Sequence, residues 1–128
     1  MATTGTITEA HDRAMQLLTA TLTFSDSGDN AASAVTTHSY YGYVVQCFID
    51  HGGTAPTNLY DLVVTDDSGI DVLNGKGGDI ASGTDTHAFT QTDLDNGMAC
   101  HGQLVITGTN GGTGSGIAVV YLYIARYQ

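Results

Sequence analysis

The run from Gly116 to Arg126, GIAVVYLYIAR, constrains the fold of this chain more than any other segment. Drawn as a strand, it puts Ile117, Val119, Tyr121 and Tyr123 on one face and Ala118, Val120, Leu122 and Ile124 on the other. A strand apolar on both faces has to be covered on both, by a second sheet on one side and by something further on the other.

Other segments supply the partners. Gln16 to Phe24 alternates, with Leu18, Ala20, Leu22 and Phe24 on one face and Thr19, Thr21 and Thr23 on the other. Tyr40 to His51 reads as a long strand with Tyr41, Tyr43, Val45, Cys47 and Ile49 on one face and Val44, Gln46 and Phe48 on the other. Ser25 to Ala34 is small and polar without periodicity, and is expected to be a loop. Asn58 to Gly78 reads as a β-hairpin unit: Leu59, Leu62, Val63 and Val64, a turn at Asp67-Ser68-Gly69, then Ile70, Val72 and Leu73. Thr86 to Thr90 is expected to be a short strand, followed by a turn from Asp93 to Gly97. Ala99 to Thr107 and Gly116 to Arg126 read as a final hairpin pair, joined by the glycine-rich stretch Gly108 to Ser115. Before Gln16, a first strand near Thr4 to Thr8 followed by a polar loop is preferred to a helical turn capped by Thr8.

These signals give about seven or eight strands at near-regular spacing, the pattern of an all-β antiparallel sandwich or jelly roll. The whole chain, 1–128, reads as one domain with residues 1–14 as a candidate N-terminal arm, and this length suffices for a real core.

Charge narrows the partners. Thirteen acidic residues face three basic ones, Arg13, Lys76 and Arg126, for a formal net charge of -10. Glu9 is the only glutamate, so the acidity is aspartate, a residue of turns and loop ends. Such a chain repels phosphate backbones and has no basic stripe, which argues against nucleic acid. The opening residues lack the pattern of a signal peptide, and no apolar run has the length of a membrane-crossing helix, so a protein made in a reducing cytoplasm is expected. Cys47 and Cys100 could form one disulfide or none, with the reduced state as the default.

Candidate chemistry does not survive a comparison of spacing with need. Asp66, Asp67 and Asp71 share one turn region, but their spacing is not that of a calcium loop, and capping of backbone by the carboxylates is the simpler reading. Cys47 and His51 share a strand face, whereas the neighbours Cys100 and His101 point to opposite faces, so a zinc site is not expected. Gly108 to Gly116 has neither the lysine nor the following helix of a phosphate loop. Gly114-Ser115-Gly116 lacks the strand-to-helix elbow of a hydrolase serine, and His11, His38, His51, His87 and His101 form no recognisable constellation. No catalytic residue, cofactor or metal is expected, and the chain does not read as an enzyme.

The stretch from Tyr40 through Leu73, with the closing GQLVITGTNGGTGSGIAVVYLYIAR, resembles a family of small tailed-bacteriophage virion proteins. The likeness rests on Pro56-Thr57, Tyr60-Asp61, Thr65-Asp66-Asp67, Gly69 and Asp71-Val72-Leu73, and then on Leu104, Asn110, Gly112 and Gly116. The N-terminal quarter carries none of it. The resemblance implies a virion structural protein, a head decoration or cement protein on the capsid exterior whose partners are the major capsid protein and its own copies, as a homotrimer. Tyrosines suit such interfaces, because a rigid amphipathic ring buries area at little rotamer cost. Tyr40 is among them, and the expected contact set is Ala2, Thr4, Ile7, Tyr41, Tyr43, Tyr121, Tyr123, Arg126 and Tyr127. The alternatives are a carbohydrate-binding head fibre or receptor-attachment module, which the lack of Trp weakens, and a tail or connector component.

Overall fold

The computed structural model describes residues 3–10, 15–24, 31–83, 86–89, 98–112 and 114–126. Among the described residues ten strands follow one another: β1 (Thr3–Thr4), β2 (Thr6–Ala10), β3 (Met15–Phe24), β4 (Ala32–Val35), β5 (Tyr40–His51), β6 (Asp61–Thr65), β7 (Thr86–Phe89), β8 (Met98–Gly102), β9 (Val105–Thr109) and β10 (Gly116–Arg126). They form two sheets. The larger runs β2-β3-β10-β5-β7, with β8 also on β5, and the smaller runs β1-β4-β9-β6.

Two pairs of short strands share a row. β7 pairs with Cys47 to Ile49 and β8 with Tyr40 to Val44, so they lie in tandem along one edge of β5. β1 and β2 are one extended stretch that changes sheets at Gly5, where β1 pairs with β4 in parallel and β2 with β3 antiparallel. A Cβ at Gly5 would lie 2.7 Å from the Thr21 carbonyl and 2.9 Å from Leu22, so only glycine fits that crossing. Counted by rows and leaving aside the two-residue β1, which pairs in parallel with β4, the protein is an all-β sandwich of two antiparallel sheets, five rows over three. The long strands wrap as in a jelly roll: β3 lies beside the last strand, β4 beside the one before it, and β5 on the far side of β10.

β10 is central to the larger sheet, in register with β3 from Gly116↔Phe24 to Ala125↔Met15 and with β5 on its other side. Its Ala118, Val120, Leu122 and Ile124 are fully buried with Leu18, Ala20, Leu22 and Phe24 of β3. From the smaller sheet, Ala32, Ala34, Leu62, Val64, Leu104 and Ile106 meet them in one core cluster. Ile117, Val119, Tyr121 and Tyr123 are only half-buried on the outer face.

The structure corrects several expectations. Ala32–Val35, expected as the end of a loop, is β4, and it alternates buried Ala32 and Ala34 with Ser33 and Val35. Residues 25–30 of that expected loop lie outside the described residues, as does the expected turn from Asp93 to Gly97. The final two runs are not a hairpin. Ala99 to Thr107 divides at Gly102, which sits at φ +90°, into β8 in the larger sheet and β9 in the smaller, where β9 pairs with β4 and β6.

The Asn58 to Gly78 unit is not a hairpin of two strands either. β6 pairs with β9, and beyond the turn two isolated bridges, Thr65↔Asp71 and Tyr60↔Ile80, stand in place of a second strand. The cause is Asp71: its Oδ1 accepts the N–H groups of Val64 (3.2 Å) and Leu73 (3.0 Å) and its Oδ2 that of Gly75 (2.9 Å). That carboxylate replaces ladder bonds and turns the chain, with Asn74 and Gly75 at positive φ. Residues 70–80 still cover the free edge of β6, through Val72 N–H to the Val64 carbonyl and Leu62 N–H to the Gly77 carbonyl, both 2.7 Å. A covered edge cannot pair with another chain.

Candidate functional site

One feature of β5 decides what the outer face of the larger sheet presents. Tyr123 is paired with Gln46 and Ile124 with Val44, so Val45 is an extra residue, a β-bulge. Since side chains alternate along a strand, one inserted residue reverses the faces on either side of it. The expected grouping of Tyr41, Tyr43, Val45, Cys47 and Ile49 is therefore wrong. Val44, Cys47 and Ile49 point into the core, whereas Tyr41 and Tyr43 lie outward together with Gln46, Phe48 and Asp50.

The bulge thus brings Tyr41 and Tyr43 to the same outer face as Tyr121 and Tyr123 of β10. Phe48, not singled out in the sequence, is the fifth aromatic ring of this face. Phe48 and Tyr121 are register partners with ring centroids 6.0 Å apart, and Tyr41 packs edge-on against His101 of β8 at 5.2 Å. Tyr41 and Tyr43 are 51% and 42% exposed, high for rings on a regular sheet. Toward β2 the face becomes threonine-rich, with Thr19, Thr21 and Thr23 of β3 beside Thr6 and Thr8.

The other expected contact residues lie elsewhere. Ile7 is partly buried and packs against the core from β2. Thr4 is paired with Ser33, and Arg126 with Gly42 at the end of β10. Ala2 and Tyr127 lie outside the described residues. Residues 3–10 of the candidate arm are thus strands of the protein's own sheets.

Tyr40, expected among the interface tyrosines, is a buried residue instead. Its hydroxyl donates to Glu9 Oε1 at 2.7 Å, and the same carboxylate accepts Thr37 Oγ1 (2.7 Å), Thr37 N–H (3.2 Å) and His38 N–H (3.3 Å). The only glutamate of the chain therefore fastens β2 to the segment leading into β5. Partial burial pushes the Glu9 carboxyl up, but the bonds from Thr37, Tyr40 and His38 outweigh it and hold the group below its ordinary value. Tyr40 is raised, first by burial and then by its bond to Glu9 and the charge there.

The aspartates of the β6 turn serve the backbone. Asp66 Oδ1 accepts Ser68 and Ile70 N–H, and Oδ2 accepts His101 N–H at 3.2 Å, which ties the turn to β8. Asp61 accepts Asp79 N–H at 2.9 Å and Asn110 Nδ2 at 2.7 Å, bonds that lower its pKa. Cys47 and Cys100 are free and buried, and burial pushes their thiols up to about 12 and about 11. His51 Nε2 meets the Tyr60 hydroxyl at 2.6 Å, a pairing that satisfies two polar groups at the core margin. Among the described residues no three His, Cys, Asp or Glu side chains converge as a metal site.

Compared with known protein families, with characterised proteins and with solved structures, the chain matches none. What stands without such a match is an all-β protein of two packed sheets with an aromatic outer face.

Proposed function

We propose that this protein is a structural component of a tailed-phage virion, a decoration or cement protein that binds the assembled head at subunit junctions and stabilises it. The observation that carries this reading is the outer face of the larger sheet, where Tyr41, Tyr43, Phe48, Tyr121 and Tyr123 form a partly exposed aromatic strip. Rigid rings of this kind dominate protein interfaces. The motif from Pro56 to Leu73 supports the virion assignment, and the face supplies what such a protein needs, a rigid surface ready to bury area. A protein that binds only the assembled shell stabilises it by mass action. Net charge of -10 keeps a high-copy protein soluble before assembly. In this reading it is made in the host cytoplasm, ends on the capsid exterior and acts by binding rather than catalysis. Quantitative mass spectrometry of purified particles tests it: many copies per head are expected, and only a few per virion would sink it.

The same strip beside Asp50 also suits stacking on and hydrogen bonding to a sugar, which favours a carbohydrate-binding head fibre module as the second reading. A glycan array is its test, and uniform lack of binding would remove it.

A further inference from the structure

Most of the buried and half-buried acidic side chains among the described residues are engaged, whereas Asp67 and Asp79 are exposed. Glu9, Asp61, Asp66 and Asp71, each buried or half-buried, all accept hydrogen bonds within the fold. Asp50 is half-buried too, yet it makes no hydrogen bond or ion pair among the described residues. It lies on the outer face of the larger sheet, two residues from Phe48 on β5 and in register with Val119 of β10. A half-buried carboxylate beside apolar side chains and without a partner of its own is a place that favours the approach of a cation.

We propose that the outer face of the larger sheet is a receptor for arginine side chains of a basic partner protein, with Asp50 as the counter-charge and Phe48 and Tyr121 as the stacking surface. Phe48 and Tyr121 are tilted by 34° with centroids 6.0 Å apart, so two aromatic rings stand side by side next to the carboxylate. A guanidinium stacks on an aromatic face while its N–H groups bond a carboxylate, and Arg does both better than Lys. Tyr43 and Tyr41 continue the strip and exclude water around that contact.

A second copy of this chain is a poor source of the cation. The whole sequence carries three basic residues against thirteen acidic ones, so two copies brought together repel. The smaller sheet is a poor alternative surface: its outer face exposes Val35 and Val63, but its carboxylate, Asp61, is already engaged. The inference rests on the proposed function and names the chemistry of its partner surface, a patch of the head rich in arginine.

The test has two arms. In the first, an arginine-rich peptide is titrated into the isotope-labelled protein at low salt and amide shifts are followed. Shifts centred on Phe48, Asp50 and Tyr121, with Asp50→Asn weakening binding roughly tenfold and the same charge loss at Asp79→Asn changing it less than twofold, are expected. Shifts spread over the aspartate loops, or equal losses in the two variants, would overturn the inference, as would tighter binding of a neutral oligosaccharide at the same face. In the second arm, heads stripped of the protein are offered wild type, Asp50→Asn and Tyr121→Thr. Wild type that fails to rebind contradicts the decoration role while leaving the peptide result intact. Wild type that rebinds no better than the two variants contradicts the receptor and leaves the role standing.

Discussion

Leu122 and Tyr121 are adjacent on β10 but face opposite ways, and replacing each in turn separates what holds the fold from what is left for a partner. Leu122 is fully buried, and its register neighbours Leu18 and Cys47 are fully buried too. Leu122→Ala removes three carbons, worth about 2.4 kcal/mol at about 0.8 kcal/mol each. β10 is hydrogen-bonded on both edges and cannot collapse into the space, so a cavity contribution brings the loss to about 3–4 kcal/mol. For a domain of this size that lowers Tm by about 10–15 °C. Tyr121→Thr keeps a good strand former and gives up a half-buried ring with its Phe48 neighbour, about 1 kcal/mol. Urea unfolding of the purified protein, with the slope m checked for constancy, measures both. Equal losses at the two positions would refute the reasoning, because they would mean that the outer face is already buried in the isolated protein.

Three further outcomes follow from the same packing. Glu9, held below its ordinary pKa, contributes stability that is complete above the usual carboxylate range near about pH 4 and is lost as pH falls through the folded value. Tyr40, held above its own, contributes stability that is complete below about pH 10 and is lost as pH climbs further. Glu9→Gln should cost about 1 kcal/mol at neutral pH, a modest figure because the carboxylate is only partly buried and water screens it, and should flatten the acid limb of a plot of stability against pH; an unchanged limb would refute the role given to Glu9. Gly111→Ala places a methyl group far inside van der Waals contact with the Phe24 ring and should destabilise by about 1–3 kcal/mol in thermal melts, whereas Gly53→Ala, in open space, should be near neutral. Neither Cys47 nor Cys100 should react with a thiol reagent in the native protein at pH 8, both should react in urea, and electrophoresis should show no change on reduction.

The long strands were legible because alternation reports burial directly: β3, β5 and β10 lie where the apolar period places them, and Leu18, Ala20, Leu22 and Phe24 face inward as read. β4 escaped because Ala-Ser-Ala-Val carries too little apolar area to stand out, although Ala32 and Ala34 belong to the core cluster. The partners of β9, β4 and β6, are distant in sequence, so residue order alone pairs it with its neighbour β10, whereas the wrapping of two sheets does not. The outer face was half legible. Its tyrosines were identified, but the bulge at Val45 is one residue with no sequence mark, and it decides which face Tyr41, Tyr43 and Phe48 share. Asp71 in place of a second hairpin strand, and Glu9 in the bond network of Tyr40, depend on side-chain geometry that residue order does not record.

Cryo-electron microscopy of intact heads would locate the protein and its docking face together. Sandwich density is expected at subunit junctions on the capsid exterior, with the larger sheet toward the shell and Phe48, Asp50 and Tyr121 in the contact. Heads without such density, or sandwiches docked through Val35 and Val63 of the smaller sheet, would contradict this expectation.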